Sequence, residues 1–101
     1  MTTARLFQDA NTNGASDPVT HDGGSVEFTV WATDFDSGQI TFEIRSEPGA
    51  PWIDLKKIDG TVQTITENDI VRTRELASGN EIRAVISGAG SSASSINVQM
   101  R

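Results

Sequence analysis

A repeated alternation of apolar and polar side chains restricts the fold of this sequence more than any other feature. Residues 26–31 (VEFTVW) and 40–45 (ITFEIR) both carry an apolar side chain at every second position. This period of two is typical of half-buried β-strands, because successive side chains of a strand point to opposite faces of a sheet. No helical period persists over three turns, so the pattern predicts an all-β protein. Further strands are predicted at residues 4–8, 52–57, 61–66, 81–87 and 96–101. Residues 70–76 are predicted to be either a strand or a looser extended segment.

Turn-forming residues separate the predicted strands. The segment 36–38 (DSG) predicts a tight turn with its glycine at positive φ, which would join the first two strands as a hairpin. The Asp-Gly pair of segment 58–60 (IDG) predicts a second hairpin with a type I′ turn. The Gly- and Ser-rich stretch 88–95 carries no side chain large enough to pack, and its composition predicts a mobile loop.

The length of the chain sets the number of domains. A chain of 101 residues is long enough for one hydrophobic core. About seven or eight short strands with frequent turns favour a sandwich over an open sheet. We therefore predict a single-domain antiparallel β-sandwich, Ig-like or jelly-roll-like, across residues 1–101. Residues 1–5 are predicted to form an amino-terminal arm, and residues 88–95 the flexible loop.

The charge of the chain limits its partners. The formal net charge is -6, and the eight Lys and Arg residues are scattered along the sequence with no basic run. That distribution argues against nucleic acid, and the acidity argues against an anionic membrane surface. No segment approaches the ~18 apolar residues of a spanning helix. The first residues lack the hydrophobic segment of a secretory signal, so synthesis in the cytoplasm is expected.

Metal and disulfide chemistry find little support in the sequence. There is no cysteine, which excludes a disulfide scaffold, a thiolate nucleophile and a Cys-based zinc site. Residues 9–14 (DANTNG) match the first half of a calcium loop, but Thr20 stands where that loop has its bidentate Glu. Asn, Asp and Gly are also the usual residues of tight turns. We therefore favour a plain loop and predict no metal and no other cofactor.

Few residues are candidates for catalysis. Asp34 and Asp36 lie two positions apart, but a glycosidase pair needs a defined separation within a cleft. His21 is the single histidine and would have to serve any Ser-His-Asp triad. No nucleophile elbow or phosphate-cradling glycine loop is present. We predict a protein without catalytic residues, and an enzyme that uses Asp34 and Asp36 is the least favoured alternative.

Three large aromatic residues are candidates for recognition. Trp31 falls on the face of its strand opposite Val30, and Phe35 lies near a turn, so both could belong either to an interface or to the core. Trp52 follows Pro51 and could equally serve either role. Exposed aromatic rings are common in both protein and carbohydrate contacts.

The order and spacing of several short motifs are similar to those of the small β-sandwich proteins found among the virion structural proteins of tailed bacteriophages. The resemblance spans nearly the full length, and none of its motifs is catalytic. It is carried by residues 13–16 (NGAS), 19–20 (VT), 23–24 (GG), 26–30 (VEFTV), a Pro-Gly turn before 52–55 (WIDL), 76–79 (LASG) and 82–88 (IRAVISG).

The resemblance implies a capsid decoration, or cement, protein. Such a protein would bind the major capsid protein on the outer face of the icosahedral shell and stabilise contacts between capsomers. It implies a homo-oligomer, with a trimer favoured, and a place on the capsid surface of a virion assembled in the host cytoplasm. The predicted arm could reach onto a neighbour, and the terminal strands could extend a partner's sheet. The candidate interface residues are Met1, Thr2, Thr3, Ala4, Arg5, Trp31, Phe35 and Trp52.

A second function remains open at this point. The chain could be a carbohydrate- or receptor-binding module of a phage tail or fibre, with Trp31, Phe35 or Trp52 as a sugar platform. A sugar platform needs an exposed tryptophan beside polar side chains. A decoration protein instead buries its contact residues against the shell.

Overall fold

Two antiparallel sheets make up the structure, a computed structural model that describes residues 3–101. The first sheet has the strand order β1-β10-β4-β8, and the second has the order β2-β9-β5-β6, with β3 also on β9 and β7 also on β5. No helix occurs within residues 3–101. The strands are β1 (Ala4–Ala10), β2 (Gly14–Ala15), β3 (Val19–Thr20), β4 (Glu27–Trp31), β5 (Gln39–Arg45), β6 (Ile53–Asp54), β7 (Thr64–Ile65), β8 (Asp69–Arg72), β9 (Glu81–Ser87) and β10 (Ile96–Met100).

The hydrophobic core lies between the two sheets. Phe28 of the first sheet stacks on Phe42 of the second, with ring centroids 3.8 Å apart. Every second residue of β4 and β9 is buried, as are Ile40 and Phe42 of β5, because alternate side chains face the other sheet. The predicted all-β sandwich is therefore confirmed. Its core consists of Leu6, Val26, Phe28, Val30, Ile40, Phe42, Leu55, Ile65, Ile82, Ala84, Ile86, Ala93, Ile96, Val98 and Met100.

The prediction that residues 26–31 and 40–45 form a hairpin is wrong. β4 pairs with β10 and β8 in the first sheet, whereas β5 pairs with β9 in the second. Residues 32–38 therefore carry the chain from one sheet to the other. Alternation identifies the buried face of a strand, but it does not identify the neighbouring strand, and both segments point their apolar faces at a shared core.

The turn at residues 35–38 is present, but its glycine has another role than predicted. The amide of Gly38 donates to the carbonyl of Phe35 at 2.7 Å. Asp36 and Ser37, with φ of 44° and 65°, occupy the left-handed region, and Gly38 does not. A Cβ at Gly38 would lie 2.7 Å from the Phe35 carbonyl oxygen, so this position needs glycine for close approach.

The second predicted hairpin is present with a different turn. Lys56 bridges Val62, and the amide of Gly60 donates to the carbonyl of Lys57 at 2.9 Å. Gly60 has φ of 88°, whereas Asp59 has no positive φ. Because a type I′ turn needs two such residues, this is instead a turn followed by a left-handed glycine. β6 and β7, which flank residues 55–63, both pair with β5. We call residues 55–63 the projecting hairpin.

Two predicted flexible segments make defined contacts. Ala93 of the 88–95 loop is buried in the core, which corrects the expectation that nothing there is large enough to pack. The amides of Gly90 and Ser92 donate to Asp36, although the predicted mobility of the loop stays a prediction. Ala4 and Arg5 belong to β1 and pair with β10, so they are not part of a free arm. Met1 and Thr2 lie outside the described residues.

Candidate functional site

Trp31 lies on the outer face of the first sheet. It follows the buried residue Val30 in β4, and it is half-buried. The Cζ atom of Arg5, on β1, lies 5.0 Å from the centre of its ring. One cation thus covers part of the ring.

Trp52 lies on the opposite outer face, against the second sheet. The Cζ atoms of Arg45 and Arg83 lie 4.3 Å and 4.2 Å from the centre of its ring. Each arginine also binds a carboxylate on the neighbouring strand. The Nη2 atom of Arg45 is 2.8 Å from Oε1 of Glu81, and that of Arg83 is 2.6 Å from Oε1 of Glu43. We call these five residues the Trp52 stack, and their mutual contacts favour a structural role for this tryptophan.

Besides Arg5 and the two tryptophans, the structure describes three candidate interface residues, Thr3, Ala4 and Phe35. Phe35 is half-buried and packs against the hydrophobic core. Thr3 is exposed, Ala4 is half-buried in β1, and Met1 and Thr2 lie outside the described residues. Among residues 3–101, the two predicted tryptophans therefore lie on opposite outer faces of the sandwich.

The catalytic candidates Asp34, Asp36 and His21 all make local hydrogen bonds. Oδ1 of Asp34 accepts the amide of Asp36 at 2.8 Å, and Oδ2 of Asp36 accepts the amide of Ser92 at 2.9 Å. His21 is buried, with Nε2 2.9 Å from the carbonyl oxygen of Gly24.

Across residues 3–101, no three His, Asp or Glu side chains are grouped so that they could hold a metal ion. The same residues contain no helix of the length and hydropathy needed to cross a bilayer.

A groove of about 540 Å³ opens between the projecting hairpin and the chain that leaves β8. Both lysines of the protein and two of its six arginines line it. Half of the basic residues of an acidic chain are therefore concentrated at one place. We call this feature the basic groove, and its lining includes Lys56, Lys57, Ile58, Asp59, Arg72 and Arg74.

Most of the positive charge in the basic groove is uncompensated. Arg72 binds Glu27, with Nη2 3.0 Å from Oε2. Within residues 3–101, no carboxylate lies within 4.0 Å of the charged groups of Lys56, Lys57 or Arg74. These three side chains are exposed and free to bind an external anion.

Asp59 is the one acidic residue in the lining, and it is turned to local use. Its Oδ1 accepts the hydroxyl of Thr61 at 2.6 Å and the amide of Thr61 at 2.9 Å. These hydrogen bonds, with a smaller contribution from the charge of Lys57, lower the pKa of the Asp59 carboxyl below its usual value. The carboxylate therefore stabilises the turn of the projecting hairpin.

An open strand edge adjoins the basic groove. Within the described chain β8 pairs only with β4, so it is the last strand of its sheet. The amide of Thr73 donates to Val26, next to β4, and backbone groups alternate in direction along a strand. The N–H and C=O groups of Arg72 and the C=O group of Ile70 therefore point away from β4. The amide of Ile70 is held by Oδ1 of Asp69 at 2.8 Å.

Exposed apolar side chains accompany this edge. Ile58, at the tip of the projecting hairpin, is 86% exposed, and Ile70 of β8 is 62% exposed. Exposed isoleucines, free cations and unpaired backbone groups are the three elements that a bound polypeptide can use. The chemistry of this region suits binding.

The basic groove was not predicted from the sequence. Its cations look scattered along the chain, because a hairpin return and a strand separate Lys56 and Lys57 from Arg72 and Arg74. The visible signal was the pair of short motifs KK and RTR at residues 56–57 and 72–74, next to a predicted turn. The prediction that nucleic acid is not a partner remains a prediction.

Comparisons with known proteins assign the chain to no family. No family model and no curated protein matches the chain. A solved structure, the Drosophila melanogaster CENP-C cupin domain, is similar over 97% of this chain, at 9% sequence identity and a TM-score of 0.42. The chain spans 55% of the length of that structure. At this level the similarity carries no argument about function.

Proposed function

We propose that this chain is a non-enzymatic virion protein of a tailed bacteriophage, a decoration protein that binds the outer face of the capsid shell. The observation that carries the binding role is the basic groove beside the open edge of β8. The virion assignment is supported by the resemblance seen in the sequence. In this proposal the major capsid protein is the partner, and the contact stabilises neighbouring capsomers.

The composition of the groove supports a protein partner. Lys57 and Arg74 supply free charge, and Ile58 supplies an exposed apolar contact at the tip of the projecting hairpin. Protein interfaces commonly combine an apolar centre with a charged rim. An isolated surface ion pair contributes only about 0.2–1 kcal/mol, so several contacts must act together.

Repetition on a shell would offset the weakness of one groove. A capsid presents many equivalent sites, and a homotrimer of this protein would engage several of them at once. Linked contacts raise the apparent affinity by ~10²–10⁴ when the geometry permits simultaneous binding. The proposed oligomer is therefore a trimer, located on the capsid surface of a virion assembled in the host cytoplasm.

Cosedimentation with mature capsids stripped of accessory proteins tests the proposal. We expect saturable binding of the wild-type protein at a fixed ratio to the major capsid protein. Lys57→Glu combined with Arg74→Glu should weaken binding, whereas Arg101→Glu should not, because Arg101 is an exposed cation outside the groove. Absence of wild-type protein from the capsid pellet would refute the decoration role.

One observation favours the alternative of a carbohydrate- or receptor-binding module on a tail or fibre. The ring of Trp31 is half-buried on a polar sheet face, with one arginine at 5.0 Å. A sugar ring could stack there if Arg5 moves aside. Quenching of tryptophan fluorescence by an oligosaccharide, lost in Trp31→Leu and kept in Trp52→Leu, would support this alternative.

A further inference from the structure

We infer that the occupant of the basic groove is an acidic, extended segment of the partner protein, which pairs with β8 as an added strand. The inference rests on the proposed function in taking this groove as the contact surface. It goes further because it specifies the chemistry and the conformation of the bound segment.

The backbone of β8 carries the first step. Arg72 directs its N–H and C=O groups toward the open side of the sheet, and Ile70 directs its C=O group there. No strand within residues 3–101 pairs with that side of β8. Such a row of unpaired groups binds an extended chain through main-chain hydrogen bonds.

The charge of the groove carries the second step. A strand added at β8 would lie between β8 and the projecting hairpin, where no carboxylate lies within 4.0 Å of the charged groups of Lys56, Lys57 and Arg74 within residues 3–101. Alternate side chains of an added strand point the same way. A segment with Glu or Asp at every second position would therefore bring its carboxylates to these cations.

The dimensions of the site limit the length of the segment. β8 contains four residues. At about 3.3 Å per residue an added strand would run about 13 Å along it. The groove of about 540 Å³ can take up side chains from one face of such a strand. A segment of about four to six residues is expected to bind, with one row of its side chains in the groove.

A second copy of this edge is a poor occupant. Two β8 edges placed side by side would bring the cations of one copy, Arg72 and Arg74, against those of the other. Like charges directly opposed across strands destabilise the pairing. The site thus discriminates against its own edge and in favour of an acidic one.

Titration calorimetry with synthetic peptides tests the inference on the full chain. The probe is a blocked peptide of about eight residues in which Glu alternates with Thr and Val, and its matched control has Gln at each Glu position. We expect the Gln peptide to bind at least ~10-fold more weakly, and Lys57→Gln with Arg74→Gln to weaken the Glu peptide by a similar factor. Arg101→Gln should leave the affinity within about 2-fold of wild type.

Backbone pairing needs its own control, because any polyanion could bind exposed cations. Two forms of the Glu peptide carry N-methyl groups at alternate residues, in opposite phases. Only one phase removes the donors that face β8, so it should bind at least ~10-fold more weakly than the other. Equal affinity of the two forms, or equal competition by inorganic polyphosphate, would overturn strand addition in favour of simple anion binding.

The outcomes separate this inference from the proposed function. If stripped capsids bind the wild type and the groove double variant equally, and the peptide does not bind, the inference fails while the decoration role stands. If the peptide binds in one N-methyl phase but capsids bind nothing, the strand-addition site stands and the decoration role fails. Circular dichroism and thermal melts of each variant show that the fold is retained.

Discussion

Replacing Trp52 by leucine should destabilise the fold, because the ring holds together the outer face of the second sheet. Arg45 and Arg83 are only 18% and 27% exposed, and each is already fixed by a glutamate. Their contacts with the ring therefore require little further ordering of the side chains. Each cation–π contact contributes about 0.5–1 kcal/mol at exposed sites, so losing two removes about 1–2 kcal/mol. For a domain of this size that corresponds to a fall in Tm of about 4–16 °C.

Chemical denaturation followed by circular dichroism measures this effect. Trp31→Leu is the matched control, since it removes the other tryptophan, whose ring has one arginine at 5.0 Å, and it should cost about 0.5–1 kcal/mol. A double-mutant cycle between Trp52→Leu and Arg83→Met isolates one contact of the Trp52 stack. The structural role of Trp52 is refuted if the free energy of unfolding of Trp52→Leu lies within about 0.3 kcal/mol of the wild-type value, since the ring would then be available for binding.

Three further substitutions test local features of the sandwich. Ser16→Ala removes the hydroxyl that accepts the buried amide of Ala84 at 2.9 Å, and denaturation should show a loss of about 1–3 kcal/mol. Gly38→Ala places a Cβ 2.7 Å from a carbonyl oxygen and should also cost about 1–3 kcal/mol, whereas an unchanged Tm would contradict the close approach. Thr61→Val removes the strongest hydrogen bond to Asp59, so NMR titration should show the pKa of that carboxyl rising toward its usual value. A carboxylate whose pKa is lowered by folding stabilises the fold above its unfolded-state pKa, and this stabilisation is lost as the pH falls through its folded-state pKa. Because the variant has the higher folded-state pKa, it should lose the Asp59 contribution at a higher pH than wild type does.

The alternation of the strands predicted the fold class well and the strand neighbours poorly. Phe28 and Phe42 occupy apolar positions of the two alternating segments, and both are buried in the core. They face each other from different sheets and are not side by side in a hairpin. A period of two reports which side of a strand is buried, whereas the partner strand depends on contacts between distant segments. β4, for example, pairs with β10, which lies more than sixty residues later in the chain.

The candidate site was harder to predict, because its parts converge only after folding. The contact between Trp52 and Arg83 depends on the pairing of β5 with β9, which also sets Glu43 opposite Arg83. The basic groove depends on the projecting hairpin reaching beside β8. Turn chemistry at residues 58–60 predicted a hairpin there, but no local rule indicates which strand lies beside it. Short basic motifs near a predicted turn are the signal that such a site leaves in sequence.

The cations beside β8 have a second effect, which gives a final prediction. Lysines at an exposed edge prevent two copies of a sheet from pairing edge to edge. Lys56→Gln with Lys57→Gln should therefore weaken the binding of an acidic peptide and at the same time increase self-association. Sedimentation velocity of the variant should show a concentration-dependent shift to larger species that the wild type lacks at the same ionic strength. If peptide affinity falls while the mass distribution is unchanged, the lysines select the partner without protecting the edge. Protection of the edge would then rest on Arg72 and Arg74 and on the Asp69 contact to the amide of Ile70.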